Sequence, residues 1–153
     1  MLKSVLKFLG GAAGIVVLGM GALLGVQYWR YQTSPEYRTI QNLKNLEKQY
    51  AEDPYGGDTP EETLRLFIDA LKNGDTELAA KYFILDKQQQ WREDLAKIKE
   101  KGLLDKMINE LLQTKKRVNG DRAFFTLIRD NDIPSELIMY KNLLNGIWKI
   151  SEL

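Results

Sequence analysis

Neither histidine nor cysteine occurs in these 153 residues, and each absence removes a class of chemistry. Without histidine the chain lacks the side chain most often used to move protons near neutral pH. Without cysteine it has no place for a lipid-modified cysteine anchor, and without either it lacks the ligands that zinc and iron sites favour. The compartment stays open on this count, because a domain of this size buries enough core to fold without disulfides. An excess of one charge is missing too: from Arg30 onward, 20 Lys and Arg face 21 Asp and Glu. Lys115-Lys116-Arg117 is the one basic run. It reads as a partner for the C-terminal dipole of a preceding helix, so nucleic acid is not an expected partner. A phosphate-cradling loop is also absent, since Gly56-Gly57 follows no strand and precedes no suitably placed lysine.

The longest gap is in charge itself. Phe8 to Trp29 is a run of 22 uncharged residues bracketed by Lys7 and Arg30. As a helix it reaches roughly 33 Å, against about 30 Å of bilayer hydrocarbon. The sequence therefore predicts a short tail over 1–7 and a single transmembrane helix over 8–29. A cleaved signal peptide would need small residues ahead of the cut, yet Met20 and Leu23 stand two positions before Ala22 and Gly25. Tyr28, Trp29 and Tyr31 fall where amphipathic rings sit among headgroups. Lys3, Lys7 and the terminal amine precede the span, while Arg30 and Arg38 follow it. The N-terminus is read as cytoplasmic, with the C-terminal part outside the cell membrane. Gly10, Gly14, Gly21 and Gly25 lie within about 60° of one another at 100° per residue and form two small-xxx-small pairs. That face suits a second copy or another membrane subunit.

Residues 30–58 read as a juxtamembrane helix and linker. Ser34-Pro35 opens the helix, and Tyr37, Ile40, Leu43, Leu46 and Tyr50 mark about four turns. Asp53-Pro54-Tyr55-Gly56-Gly57 ends it. Thr59-Pro60-Glu61-Glu62 is a capping box, so the next helix should start at Pro60, bury Leu64, Phe67, Ile68 and Leu71, and stop at Asn73-Gly74. Asp75 caps a shorter helix through Leu78, Ala79, Tyr82 and Phe83. A third carries Trp91, Leu95 and Ile98, Gly102 interrupts, and a fourth carries Leu104, Met107, Ile108, Leu111 and Leu112.

After Lys115 the period changes. Arg122 to Arg129 has strand composition, Asp130 to Ser135 reads as a loop, Glu136 to Leu143 as a second strand, and Asn145-Gly146 as a tight hairpin turn into Ile147-Trp148-Lys149-Ile150. Val118-Asn119-Gly120-Asp121 offers another turn after a short strand. Helices first and an antiparallel meander last predict an α+β domain with helices on one face of a curved sheet.

The helix from Thr59 to Asp75, the following Ala79-Ala80-Lys81-Tyr82-Phe83, and the closing Asn145-Gly146-Ile147-Trp148-Lys149-Ile150 resemble the nuclear transport factor 2-like superfamily, in particular its small bacterial membrane-anchored and lipoprotein-like members. The resemblance covers 59–153. It implies a cone of bent sheet wrapped around helices, with Phe67, Tyr82, Trp91, Tyr140 and Trp148 as candidates to line a pocket between them. Enzymes, binding proteins and scaffolds share that fold. Asp69, Tyr82 and Asp86 are the groups an isomerase or hydratase reading would use, but no second polar group is in view to orient them. Asp130-Asn131-Asp132 with Glu136 lacks the glycine and spacing of a calcium loop. No catalytic, metal or cofactor site is expected. The sequence reading is a non-catalytic single-pass envelope protein that binds a protein partner or its own copy. The alternatives are a small-ligand module and, after it, an isomerase- or hydratase-like enzyme.

Overall fold

The computed structural model describes residues 20–21, 23–128 and 134–153. Most of the expected transmembrane span, with Gly10 and Gly14, lies outside these residues, as do Asp130, Asn131 and Asp132. Among the described residues no helix is long and apolar enough to cross a membrane. The chain divides into two compact units, Met1–Glu47 and Lys48–Leu153.

In the first unit, residues 20–21 and 23–32 are helical (α1). The helix closes where the Thr33 amide and hydroxyl both donate to the Trp29 carbonyl, at 3.1 and 2.9 Å. Ser34 then accepts from the Tyr37 amide at 3.2 Å and starts α2, Pro35–Glu52, as its capping pattern predicts. The two helices are thus separate at Thr33-Ser34, and α2 runs to Glu52.

The second unit begins in the last turn of α2, so it includes residues 48–58, which the sequence reads as the end of the juxtamembrane helix and a linker. Thr59 caps α3, Pro60–Lys72, by accepting from the Glu62 amide. The Glu62 carboxylate reaches back to the Asp58 amide at 3.0 Å, completing the box one residue earlier than the usual pattern. Asp75 caps α4, Thr76–Lys81. This helix stops short of Tyr82 and Phe83 because Tyr82 to Ile84 pair with the final strand. The Ile150 amide donates to Tyr82 O at 2.9 Å, and the Ile84 amide to Ile150 O at 2.8 Å. Helices α5, Leu85–Glu100, and α6, Leu104–Leu112, follow on either side of Gly102.

Four antiparallel strands close the domain in the order β1 (Lys115–Asn119), β2 (Arg122–Ile128), β3 (Pro134–Lys141), β4 (Trp148–Glu152). Four sequence expectations are corrected here. Lys115-Lys116-Arg117 does not cap a helix dipole but forms β1, paired from Lys115 with Thr126 to Asn119 with Arg122. Pro134 and Ser135 belong to β3, opposite Ile128 and Leu127, since a strand's first residue can be proline at little cost. Leu143 leaves the strand and is 80% exposed. The turn expected within Val118-Asn119-Gly120-Asp121 forms at Gly120-Asp121, where Gly120 takes φ 60°, whereas Asn145-Gly146 makes no two-residue turn. Residues 142–147 form a wider loop because the Asn142 and Asn145 side chains are engaged elsewhere.

Alternation along the strands sends Ala123, Phe125, Leu127, Leu137, Met139 and Ile150 into one core with Phe67, Leu71, Phe83, Leu95 and Leu111 from the helices. This is the α+β arrangement of helices on one face of an antiparallel sheet. The outer edge of β4 is covered by Gly57 and by Tyr82 to Ile84, whereas among the described residues no strand lies outside β1.

Candidate functional site

The five residues proposed to line one pocket are distributed over different environments. Phe67, Tyr82 and Trp148 are buried in the core. Trp91 lines a hollow of about 340 Å³ between α5, α6 and β2, with Ile98, Leu103, Met107, Leu127 and Leu153. Tyr140 lies on another depression of about 170 Å³, beside Tyr50, Lys141 and Lys149. The first hollow does connect to the core: Trp91 stacks on Phe83 at 4.4 Å between ring centres, and Phe83 meets Phe67 edge-on at 5.6 Å. Two of the five, Trp91 and Phe67, are therefore joined through Phe83 in one aromatic series, open to solvent only at Trp91.

The carboxylates raised as candidate acids or bases, Asp69 and Asp86, do not line the 340 Å³ hollow. Asp69 sits on the solvent side of α3 and pairs with Arg65 at 3.4 Å. Asp86 lies beside the Tyr50 hydroxyl, whose proton is held above the usual phenol range, first by burial and then by that carboxylate. The Tyr82 phenol is likewise pushed up, mainly by burial. Glu136 is exposed and 3.9 Å from Arg117. No group of histidine, cysteine, aspartate and glutamate fit to hold a metal ion exists among the described residues.

Sequence reasoning missed the most unusual group in the domain. Lys149 is 1% exposed, a rare state for lysine. Its ammonium donates three hydrogen bonds of 2.7 Å, to Asp53 Oδ2, Tyr55 O and Lys81 O. Burial pulls its pKa below the ordinary lysine value, and the hydrogen bond and charge of Asp53 offset part of that shift. All three N–H bonds are used, so the ammonium has none left for a substrate. It holds the strand β4, the end of α4 and the 53–57 segment together.

That segment is fastened at further points. Asn142 Nδ2 donates to Tyr50 O at 2.7 Å, and Asn145 Nδ2 to Tyr50 O and Asp53 O at 3.0 and 2.9 Å, so the β3–β4 loop satisfies carbonyls left open at the end of α2. The Trp148 amide donates to Gly57 O at 2.9 Å. Thr63, fully buried, accepts from the Gly57 amide and donates to Trp148 O. Gly56 takes φ 147° where a Cβ would collide with the Trp148 carbonyl, so the close approach requires glycine. Asp53-Pro54 reads in sequence only as a turn, and Lys149 only as a strand residue. Nothing local links two positions 96 residues apart.

On either side of the Lys149–Asp53 pair lies a shallow hollow. Asp53 borders one of about 310 Å³ with Tyr55, Lys81 and Gln88, and Lys149 borders the 170 Å³ depression. In the larger, Lys81 Nζ donates to the Tyr55 hydroxyl at 3.0 Å and lies 4.6 Å from its ring centre, contacts that raise the lysine's pKa. Comparison with family models, curated proteins and solved structures finds no match to this chain.

Proposed function

We propose that this chain is a single-pass membrane protein whose C-terminal domain, of the nuclear transport factor 2-like kind, is a non-catalytic interaction module held at the outer surface of the cell membrane. The observation that carries the location is the helical stretch before Thr33. Met20, Leu23, Leu24, Val26, Tyr28 and Trp29 are each more than half exposed there, with Arg30 immediately following. Apolar side chains displayed all along a helix cost about 25 cal/mol per Å² in water, and a bilayer removes that cost. The Tyr28, Trp29 and Tyr31 cluster then matches an interfacial belt. The non-catalytic reading is supported by Lys149, whose donors are saturated, and by Asp69, engaged with Arg65.

The test is extraction of the full-length protein from membranes. Release by detergent and not by alkaline carbonate, together with activity of an alkaline phosphatase fused after Leu153, is expected. Release by carbonate would end the anchored reading, and an inactive phosphatase would reverse its orientation.

The 340 Å³ hollow favours a second reading, a site for a small apolar ligand, since it is concave, apolar and within the size range of ligand sites. With methyl-labelled methionine, octanoate should shift the Met107 resonance saturably and leave buried Met139 unmoved. No shift at Met107 would remove this reading.

A further inference from the structure

We propose that the open face of the sheet, across β1, β2 and β3, docks an acidic segment of a protein partner, with Arg117 and Arg122 reading its carboxylates; this rests on the interaction-module reading and gives that module a surface. The register fixes what the face displays. Because Ala123, Phe125, Leu127, Leu137 and Met139 point into the core, Arg122, Phe124, Thr126, Glu136, Ile138 and Tyr140 occupy the opposite side. Phe124 stands between Arg117 of β1 and Ile138 of β3, and Arg122 stands opposite Tyr140. Phe124 and Ile138 are half-buried and Tyr140 is exposed, so the centre of this face is an apolar floor.

The two guanidinium groups lie over that floor. Arg117 is 4.9 Å from the Phe124 ring centre and Arg122 is 5.1 Å from that of Tyr140. The contact with a ring restrains each guanidinium, and its planar fork of N–H donors is the group that grips a carboxylate with two bonds. The internal competitor is weak, for Glu136 approaches Arg117 only to 3.9 Å with both side chains well exposed. Charge on the face is asymmetric. Lys115, Arg117 and Arg122 gather on the β1–β2 side, while Glu136 and Glu152 lie on the β3–β4 side.

Among the described residues the edge of β1 has no neighbour, so an extended partner can follow the cationic side. A floor of Phe, Tyr and Arg is the composition of protein interfaces. A second copy related by a two-fold axis on the β1–β2 side would bring these arginines against their own kind. Nucleic acid would need a wider basic field than a soluble part with 20 basic and 21 acidic residues supplies.

The experiment places photoreactive benzoylphenylalanine at Thr126, on this face, or at Leu43 of α2 as a reference, in the full-length protein in its own membrane. Irradiation followed by mapping of the joined peptide is expected to give an adduct at position 126 with a segment rich in Asp and Glu. Arg117→Gln with Arg122→Gln should lower its yield at least fivefold, while Arg117→Lys with Arg122→Lys retains more of it. Adducts at 126 with this chain itself, with lipid, with nucleic acid or with a neutral or basic segment would each overturn the proposal, as would an acidic adduct indifferent to the arginines. Adducts at 43 but none at 126 would sink this surface and leave the interaction module standing. Adducts at neither position would count against both.

Discussion

At the scale of the residue, Lys149 decides more than any other side chain. Removing it alone leaves Asp53 buried and charged with the carbonyls of Tyr55 and Lys81 unpaired, so Lys149→Met should cost about 3–5 kcal/mol by urea denaturation. Asp53→Leu combined with Lys149→Met should recover part of that loss, because no uncompensated charge remains. The pH dependence has a definite sign. Burial lowers the Lys149 pKa, so between the folded value and the ordinary 10.5 the unfolded chain holds more protons, and this residue's contribution to stability rises with pH. Below the folded value the lysine is charged in both states and the cost of burying it is constant. Tyr50 and Tyr82, whose pKa values are raised, act the other way and lose stability as pH climbs past 10.0. The stability gap between wild type and Lys149→Met should therefore widen as pH approaches 10.5, and a flat gap would mean the lysine titrates normally. None of this was legible in the sequence, where a lysine between Trp148 and Ile150 looks like the solvent-facing member of a strand. Its environment is made by residues from two other parts of the chain.

At the scale of the element, legibility followed how local the determining contacts are. Thr59 and Asp75 act on amides three residues away, so both helix starts were readable, and Thr59→Ala should cost about 1 kcal/mol in the same urea experiment. Where the contact is distant the reading failed. Asn145-Gly146 has the composition of a two-residue turn, yet Asn145 is committed to Tyr50 O and Asp53 O, and the loop widens to suit. Asn145→Ala should accelerate hydrogen exchange across residues 53–57 and leave the amides of β2 protected; equal acceleration in both would show global loosening instead. The basic run in β1 was misread for a related reason. Three consecutive cations have no strand character, and they are held in the sheet by β2, with Lys116 paired to Glu61 across the domain.

At the scale of the whole molecule, order of elements and hydrophobic period gave the α+β class, while the candidate pocket dispersed because alternation cannot say which aromatic residues fill a core and which border a hollow. The glycine face expected from Gly10, Gly14, Gly21 and Gly25 belongs to this scale. Gly14→Ile with Gly21→Ile should abolish self-association of the full-length protein in a membrane two-hybrid assay, and an unchanged signal would discard that face. A last consequence comes from the fastening of residues 53–57 to β4. The folded unit has a segment near its start fastened to the beginning of its last strand, so its connectivity resembles a ring with a single join. A ring can be opened elsewhere without coming apart. Two polypeptides produced separately and divided at the exposed Gly102, where φ is 67°, should reassemble into one domain, and backbone joined anew from Leu153 to Lys48 through a flexible glycine-serine linker should tolerate that same break.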